Sequence, residues 1–113
     1  MIRWLQNLLS GGVEQINVQE AQERVKGGAI LVDVREPYER KVQYIPGSKA
    51  LPLSEINKKW QNLPKDKELI IQCRTGNRSA RAASFLAKQG LQVKNMRGGL
   101  LAWQAEQLPV RNG

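Results

Sequence analysis

The stretch Glu68-Leu69-Ile70-Ile71-Gln72-Cys73-Arg74-Thr75-Gly76-Asn77-Arg78-Ser79 decides how the chain is read. It opens on a short apolar run, Leu69 to Ile71, of the kind a strand covered on both faces requires. Its second half is polar and contains a glycine. It leads into Ala82, Phe85, Leu86 and Gln89, which fall at the i, i+3, i+4 and i+7 positions of a helix from about Arg78 to Gln89, with Gly90 as its stop. A buried strand, a six-residue connection from Cys73 and an amphipathic helix follow one another, and Cys73 stands at the carboxyl edge of the strand.

The alternation extends in both directions. Upstream, Asn17 caps a helix over Val18 to Lys26 that closes at Gly27 and Gly28, and Ala29 to Val34 reads as a second buried strand. Glu36 to Val42 reads as a short helix or turn, Ile45 to Gly47 as a turn, and Ala50 to Leu53 as a short strand. Ser54 is placed to cap a helix over Glu55 to Asn62, with Ile56 and Trp60 on one face. Downstream come a strand over Val93 to Met96, a turn at Gly98 and Gly99, and a closing helix over Leu100 to Gln107 that ends before Pro109. Strands alternating with helices predict an α/β fold with a mostly parallel sheet and helices on both faces. Ligands of such sheets bind beyond the carboxyl ends of the strands, where Cys73 is placed.

The chain has 113 residues, 41% of them hydrophobic, which suits one core. We divide it into an N-terminal amphipathic helical segment, residues 1–12, and a folded domain, residues 13–113. In the first segment Ile2, Leu5 and Leu9, with Trp4 and Leu8 beside them, share one helical face, read as packing on the domain in preference to a partner or a bilayer. No run approaches the ~20 apolar residues of a membrane span and no signal-peptide pattern opens the chain, so a cytoplasmic protein is expected. A monomer is expected because no other long apolar strip remains.

One cysteine and no histidine exclude an internal disulfide, a CxxC pair, Cys-His and Ser-His-Asp catalysis and any ordinary zinc site. The formal charge is +8, which points to anionic partners. The excess lies in the second half: residues 69–113 hold 7 Lys or Arg against 1 Asp or Glu. Aromatic residues make up only 5%, and no run of four basic residues occurs, so the stacking groove of a nucleic-acid binder is not expected. Small acidic substrates fit better.

The loop supplies the chemistry. Joining a strand to a helix start, it can turn several backbone N–H groups inward around the sulfur and add them to the unpaired N–H groups of the helix. The helix end, Arg74 and Arg78 then favour thiolate over thiol and lower the cysteine pKa below its free value of about 8.5. No histidine base is needed. A thiolate among donors suits attack on the outer sulfur of an anionic sulfur donor or on a phosphoryl group. Tyrosine-type phosphatases place five residues between cysteine and arginine, whereas four lie between Cys73 and Arg78, and no acid in the loop serves a leaving alcohol. The tighter loop favours sulfur. Arg74, Thr75, Gly76, Asn77, Arg78 and Ser79 are the substrate-binding candidates around Cys73, with Gly76 giving a tight backbone turn and Ser79 capping the helix or donating to a persulfide.

From Ile16 to Val110 the chain resembles the single-domain rhodaneses, the thiosulfate sulfurtransferases. The resemblance rests on four segments in order. They are Leu31-Val32-Asp33-Val34-Arg35-Glu36 with Tyr38-Glu39, then Ile45-Pro46-Gly47-Ser48 with Leu51-Pro52-Leu53, the cysteine loop, and Met96-Arg97-Gly98-Gly99-Leu100 with Ala102-Trp103. It implies a rhodanese-like fold, a five-stranded sheet flanked by helices. It also implies that Cys73 takes sulfane sulfur from thiosulfate, releases sulfite and passes the sulfur to cyanide or a thiol, with a sulfur-carrier protein among the acceptors. No metal or organic cofactor enters. In this family a six-residue loop accompanies sulfur transfer and a loop one residue longer accompanies phosphatase activity. The family often has Gly-His before Ile-Pro-Gly-Ala, where this chain has Gln43-Tyr44 and Ser48, so the histidine's loop-holding role is not carried over, although Tyr44 offers a hydroxyl that can hydrogen-bond.

Other residues are read as structural. Asp33 and Arg35 end a neighbouring strand and are expected in a salt link, Arg35 with Glu39. Arg81 is expected on a solvated helix face, and Trp60, Phe85 and Trp103 in the core. A phosphatase or arsenate-handling enzyme and a non-catalytic binding module on the same fold are the alternatives.

Overall fold

The computed structural model describes residues 12–113. The helical reading of Met1 to Ser10 falls outside them. The elements are β1 (Gln15–Ile16), α1 (Val18–Lys26), β2 (Ile30–Asp33), α2 (Pro37–Val42), β3 (Lys49–Ala50), α3 (Ile56–Lys59) between two 3-10 turns, β4 (Leu69–Gln72), α4 (Asn77–Lys88), β5 (Val93–Met96) and α5 (Gly99–Ala105). The five strands form one sheet in the order β1-β5-β4-β2-β3, and every pairing is parallel. Among the described residues no helix is long and apolar enough to cross a membrane.

Strand alternation sorts the core into two layers. Val32, Leu69 and Ile71 face Ile56, Ala82, Ala83 and Leu86, so α3 and α4 cover one side of the sheet. Leu31, Ile70 and Met96 face Val18, Ala21, Leu100 and Trp103, so α1 and α5 cover the other. Both faces of β4 are therefore dry, and its four residues are all buried. Trp103 is buried, as expected, with its indole N–H donating to Pro109 O at 2.7 Å, and Trp60 and Phe85 pack against the first layer.

Most element boundaries match the sequence reading within one or two residues; the exceptions are β1, which no sequence signal marked, the strand read over Ala50 to Leu53, which is Lys49–Ala50, and the helix read over Glu55 to Asn62, which is α-helical only over Ile56–Lys59. Asn17 does cap α1, its Oδ1 accepting from Glu20 N at 2.8 Å. Two local expectations are corrected. Ser54 lies inside the 3-10 turn Leu53–Glu55 and does not cap α3; its hydroxyl donates to Glu36 Oε1 at 2.8 Å, which ties the turn back to the start of α2. Arg35 pairs with Asp33 and not with Glu39. Its Nη2 lies 2.9 Å from Asp33 Oδ2 and also donates to Gln43 O at 2.8 Å.

Asp33 is the centre of that network. It is fully buried at the end of β2 and accepts from Arg35 N, from the Arg35 guanidinium and from Arg40 Nη1. Arg40 also reaches Ser48 Oγ at 2.9 Å, and its guanidinium lies 4.9 Å from the centroid of the Tyr44 ring. Tyr44 thus meets this network with its ring face, and Ser48 supplies an acceptor that alanine lacks. Removing one member of a buried ion pair leaves its partner charged and unpaired. Asp33→Ala is therefore expected to lower the unfolding free energy by about 3–5 kcal/mol in urea denaturation, and a loss under about 1 kcal/mol, the range of exposed pairs, would show that Arg35 finds water instead.

Candidate active site

Cys73 follows the last residue of β4, the central strand, with β5 on one side and β2 on the other. α4 leaves the loop along one face of the sheet and α1 lies on the other, so the loop opens where a parallel sheet places its ligand crevice. The residue is 1% exposed, and its sulfur turns toward its own loop. Gly76 N lies 3.1 Å and Ser79 N 3.3 Å from Sγ, both donating, and Ser79 Oγ lies at 3.4 Å. With the sulfur ionised, that hydroxyl is the third donor. Burial pushes the thiol up, but the Ser79 hydroxyl and the amides of Ser79, Gly76 and Thr75 outweigh it, and the pKa falls below its ordinary value.

Glycines make this convergence possible. Gly76 has φ +105°, and a side-chain carbon there would sit 3.1 Å from Gly98 N. At Gly99 the added carbon would sit 2.4 Å from Cys73 O. The close approach lets α5 reach the loop backbone: Leu100 N donates to Cys73 O at 2.8 Å and Leu101 N to Arg74 O at 3.1 Å. Asn95 Nδ2 adds a bond to Gly76 O at 3.3 Å. The pair read as a simple turn, Gly98-Gly99, is the seat of the cysteine loop.

The candidate residues divide. Gly76 and Ser79 are buried against the sulfur, while Arg74, Thr75 and Asn77 are exposed around it. Arg78 stands in the first turn of α4, but its guanidinium is engaged by Glu39 of α2, with Nη1 to Oε1 at 2.6 Å and Nη2 to Oε2 at 2.9 Å. These bonds hold Arg78 above its ordinary pKa against the effect of burial, and the charge on Cys73 adds to the effect. Arg78 therefore acts on the sulfur from a fixed position and Arg74 is the loop cation left open to solvent. Arg81 is exposed, on the solvated face expected of it.

Glu39 is the residue that sequence reading assigned to the wrong partner. Pro37 and Glu36 start α2, and Glu39 bonds back to Glu36 N at 3.0 Å, which sets its carboxylate at the helix start facing the cysteine loop. Arg78 is the main reason its pKa falls from 4.5 to about 2. Among the described residues no group of three or more Cys, Asp or Glu side chains is placed to hold a metal ion.

Comparisons with known proteins agree with this geometry. Residues 17–106 match the family described as the rhodanese-like domain. A sulfurtransferase of Allochromatium vinosum is 36% identical over 101 residues, covering 87% of this chain and 94% of the relative. The thiosulfate sulfurtransferase GlpE of Ectopseudomonas mendocina is 36% identical over 93 residues, covering 81% of this chain and 85% of that protein. Among solved structures, a rhodanese-related protein from Thermoplasma volcanium superposes with TM-score 0.83 at 37% identity, covering 88% of this chain and 99% of the other.

A carboxylate with a depressed pKa stabilises the fold above its unfolded pKa and loses that contribution as pH falls through the folded value. The stability difference between the wild type and Glu39→Gln, from urea denaturation across pH, should be full above about 4.5 and shrink toward pH 2. A difference independent of pH would mean that the Arg78 pair contributes nothing. With a thiolate cradle at the end of its central strand and matches of these lengths on either side of it, the chain belongs to the rhodanese-like family of single-domain sulfurtransferases.

Proposed function

We propose that the protein transfers sulfane sulfur from thiosulfate, or a donor like it, to cyanide or a thiol through a persulfide on Cys73. The observation that carries the reading is the size of the cradle. Donors at 3.1, 3.3 and 3.4 Å surround one sulfur atom, and a residue 1% exposed admits a slender terminal atom more readily than a phosphoryl group with three equatorial oxygens. The relative named as a thiosulfate sulfurtransferase supports the choice of donor.

The step balances without an oxidant. The Cys73 thiolate attacks the outer sulfur of thiosulfate, a new S–S bond forms, the bond of the donor breaks, and sulfite leaves with the electron pair. Arg74, exposed at the mouth, is the group for the donor's sulfonate oxygens. The Gly76, Ser79 and Thr75 amides and the Ser79 hydroxyl that hold the thiolate then hold the persulfide. Cyanide or an acceptor thiolate attacks the terminal sulfur, takes it and returns the electron pair to Sγ. Arg78, fixed by Glu39, keeps the start of α4 and hence Ser79 in place.

The test compares the wild type with Cys73→Ser on thiosulfate and cyanide, and separately on an aryl phosphate. Thiocyanate is expected from the wild type alone, and thiosulfate treatment should add one sulfur, about 32 Da, to Cys73. Phosphate release without thiocyanate would replace this reading by a phosphatase, and inactivity in both assays would favour a binding module.

A further inference from the structure

Beside the cysteine loop, on the side of α2 and α5, lies a groove of about 290 Å³ whose walls include Tyr38, Val42, Leu100, Leu101 and Arg74. Its apolar side chains are unusually open: Tyr38 is 70%, Val42 72% and Leu101 44% exposed, the only large hydrophobic side chains so exposed among the described residues. Three such residues gathered in one groove mark an interaction surface. The volume is at the bottom of the roughly 300–1,000 Å³ of small-molecule sites, which is room for an apolar side-chain anchor.

Charge narrows the occupant. Glu39, the one carboxylate in the wall, is neutralised by Arg78. Arg74 in the wall is exposed and has no ion pair among the described residues. A second copy of this chain, with net charge +8, would bring like charge to this face. An acidic protein surface meets both the apolar walls and the open Arg74 guanidinium.

We infer that this groove docks an acidic acceptor protein that presents a cysteine to the loop, an apolar side chain near that cysteine seating between Val42 and Leu101. The inference rests on the persulfide reading and names its acceptor. The acceptor thiolate attacks the outer sulfur of the Cys73 persulfide; an S–S bond forms on the acceptor, the bond to Cys73 breaks, and the electron pair returns to Sγ.

Protein loaded with thiosulfate is checked by mass for the added sulfur and then mixed with three acceptors: a peptide with one cysteine flanked by leucine and aspartates, the same peptide with lysines for the aspartates, and N-acetylcysteine. The aspartate peptide should react about tenfold faster in kcat/KM than the other two, and its advantage should fall as salt rises. Val42→Ser should cut that rate about fivefold while leaving turnover with thiosulfate and cyanide unchanged. Equal rates for the two peptides, or a Val42→Ser variant that slows cyanide as much as the peptide, would overturn the docking inference with the persulfide intact. Failure to load sulfur would remove the persulfide reading and this inference with it.

Discussion

A buried sulfur ringed by hydrogen-bond donors is the constraint on which the rest of the structure depends. The cradle forms only if the backbone after β4 turns back on itself at once, and a positive φ at Gly76 makes that turn. The loop then needs support from outside, because its carbonyls point away from its own amides. The first amides of α5 supply it at Cys73 O and Arg74 O, and the near contact of Gly99 with the loop leaves no room for a side chain. Strand, loop and two helices are thus fitted around one atom. The result is a sulfur whose charge is favoured although its site is dry, since oriented donors outweigh the effect of burial.

Ion pairs brace the same edge of the sheet. Asp33 takes up Arg35 and Arg40, and Glu39 takes up Arg78. These arginines fix α2 and the loop before β3 against the cysteine loop. The strong positive charge of the chain is therefore less free near the site than composition implies. The cation left open there is Arg74, which stands in the cysteine loop and in the wall of the groove of Tyr38, Val42 and Leu101.

The fold was legible because its signals are local. Apolar runs at Leu31 and Ile70, the cap at Asn17 and the glycine stops follow from short-range sterics and burial, and each element they mark is present. The position of Cys73 at a strand end was legible for the same reason. Ion-pair partners were not, because Glu39 chooses between an arginine four residues away and one 39 residues away according to where the fold sets the start of α4 relative to α2. Ser54 escaped for a related reason: a better acceptor, Glu36, came within reach only in the folded chain. The part played by Gly98 and Gly99 likewise depends on a contact between segments distant in sequence, and a turn signal alone does not reveal it.

The most direct measurement is a titration of thiolate ultraviolet absorbance, wild type minus Cys73→Ser, across pH. The cradle predicts a midpoint below the about 8.5 of a free cysteine, moving up when Ser79→Ala removes the hydroxyl donor. A wild-type midpoint at or above the free value would contradict the account, since burial would then prevail over the donors that the whole loop is built to converge.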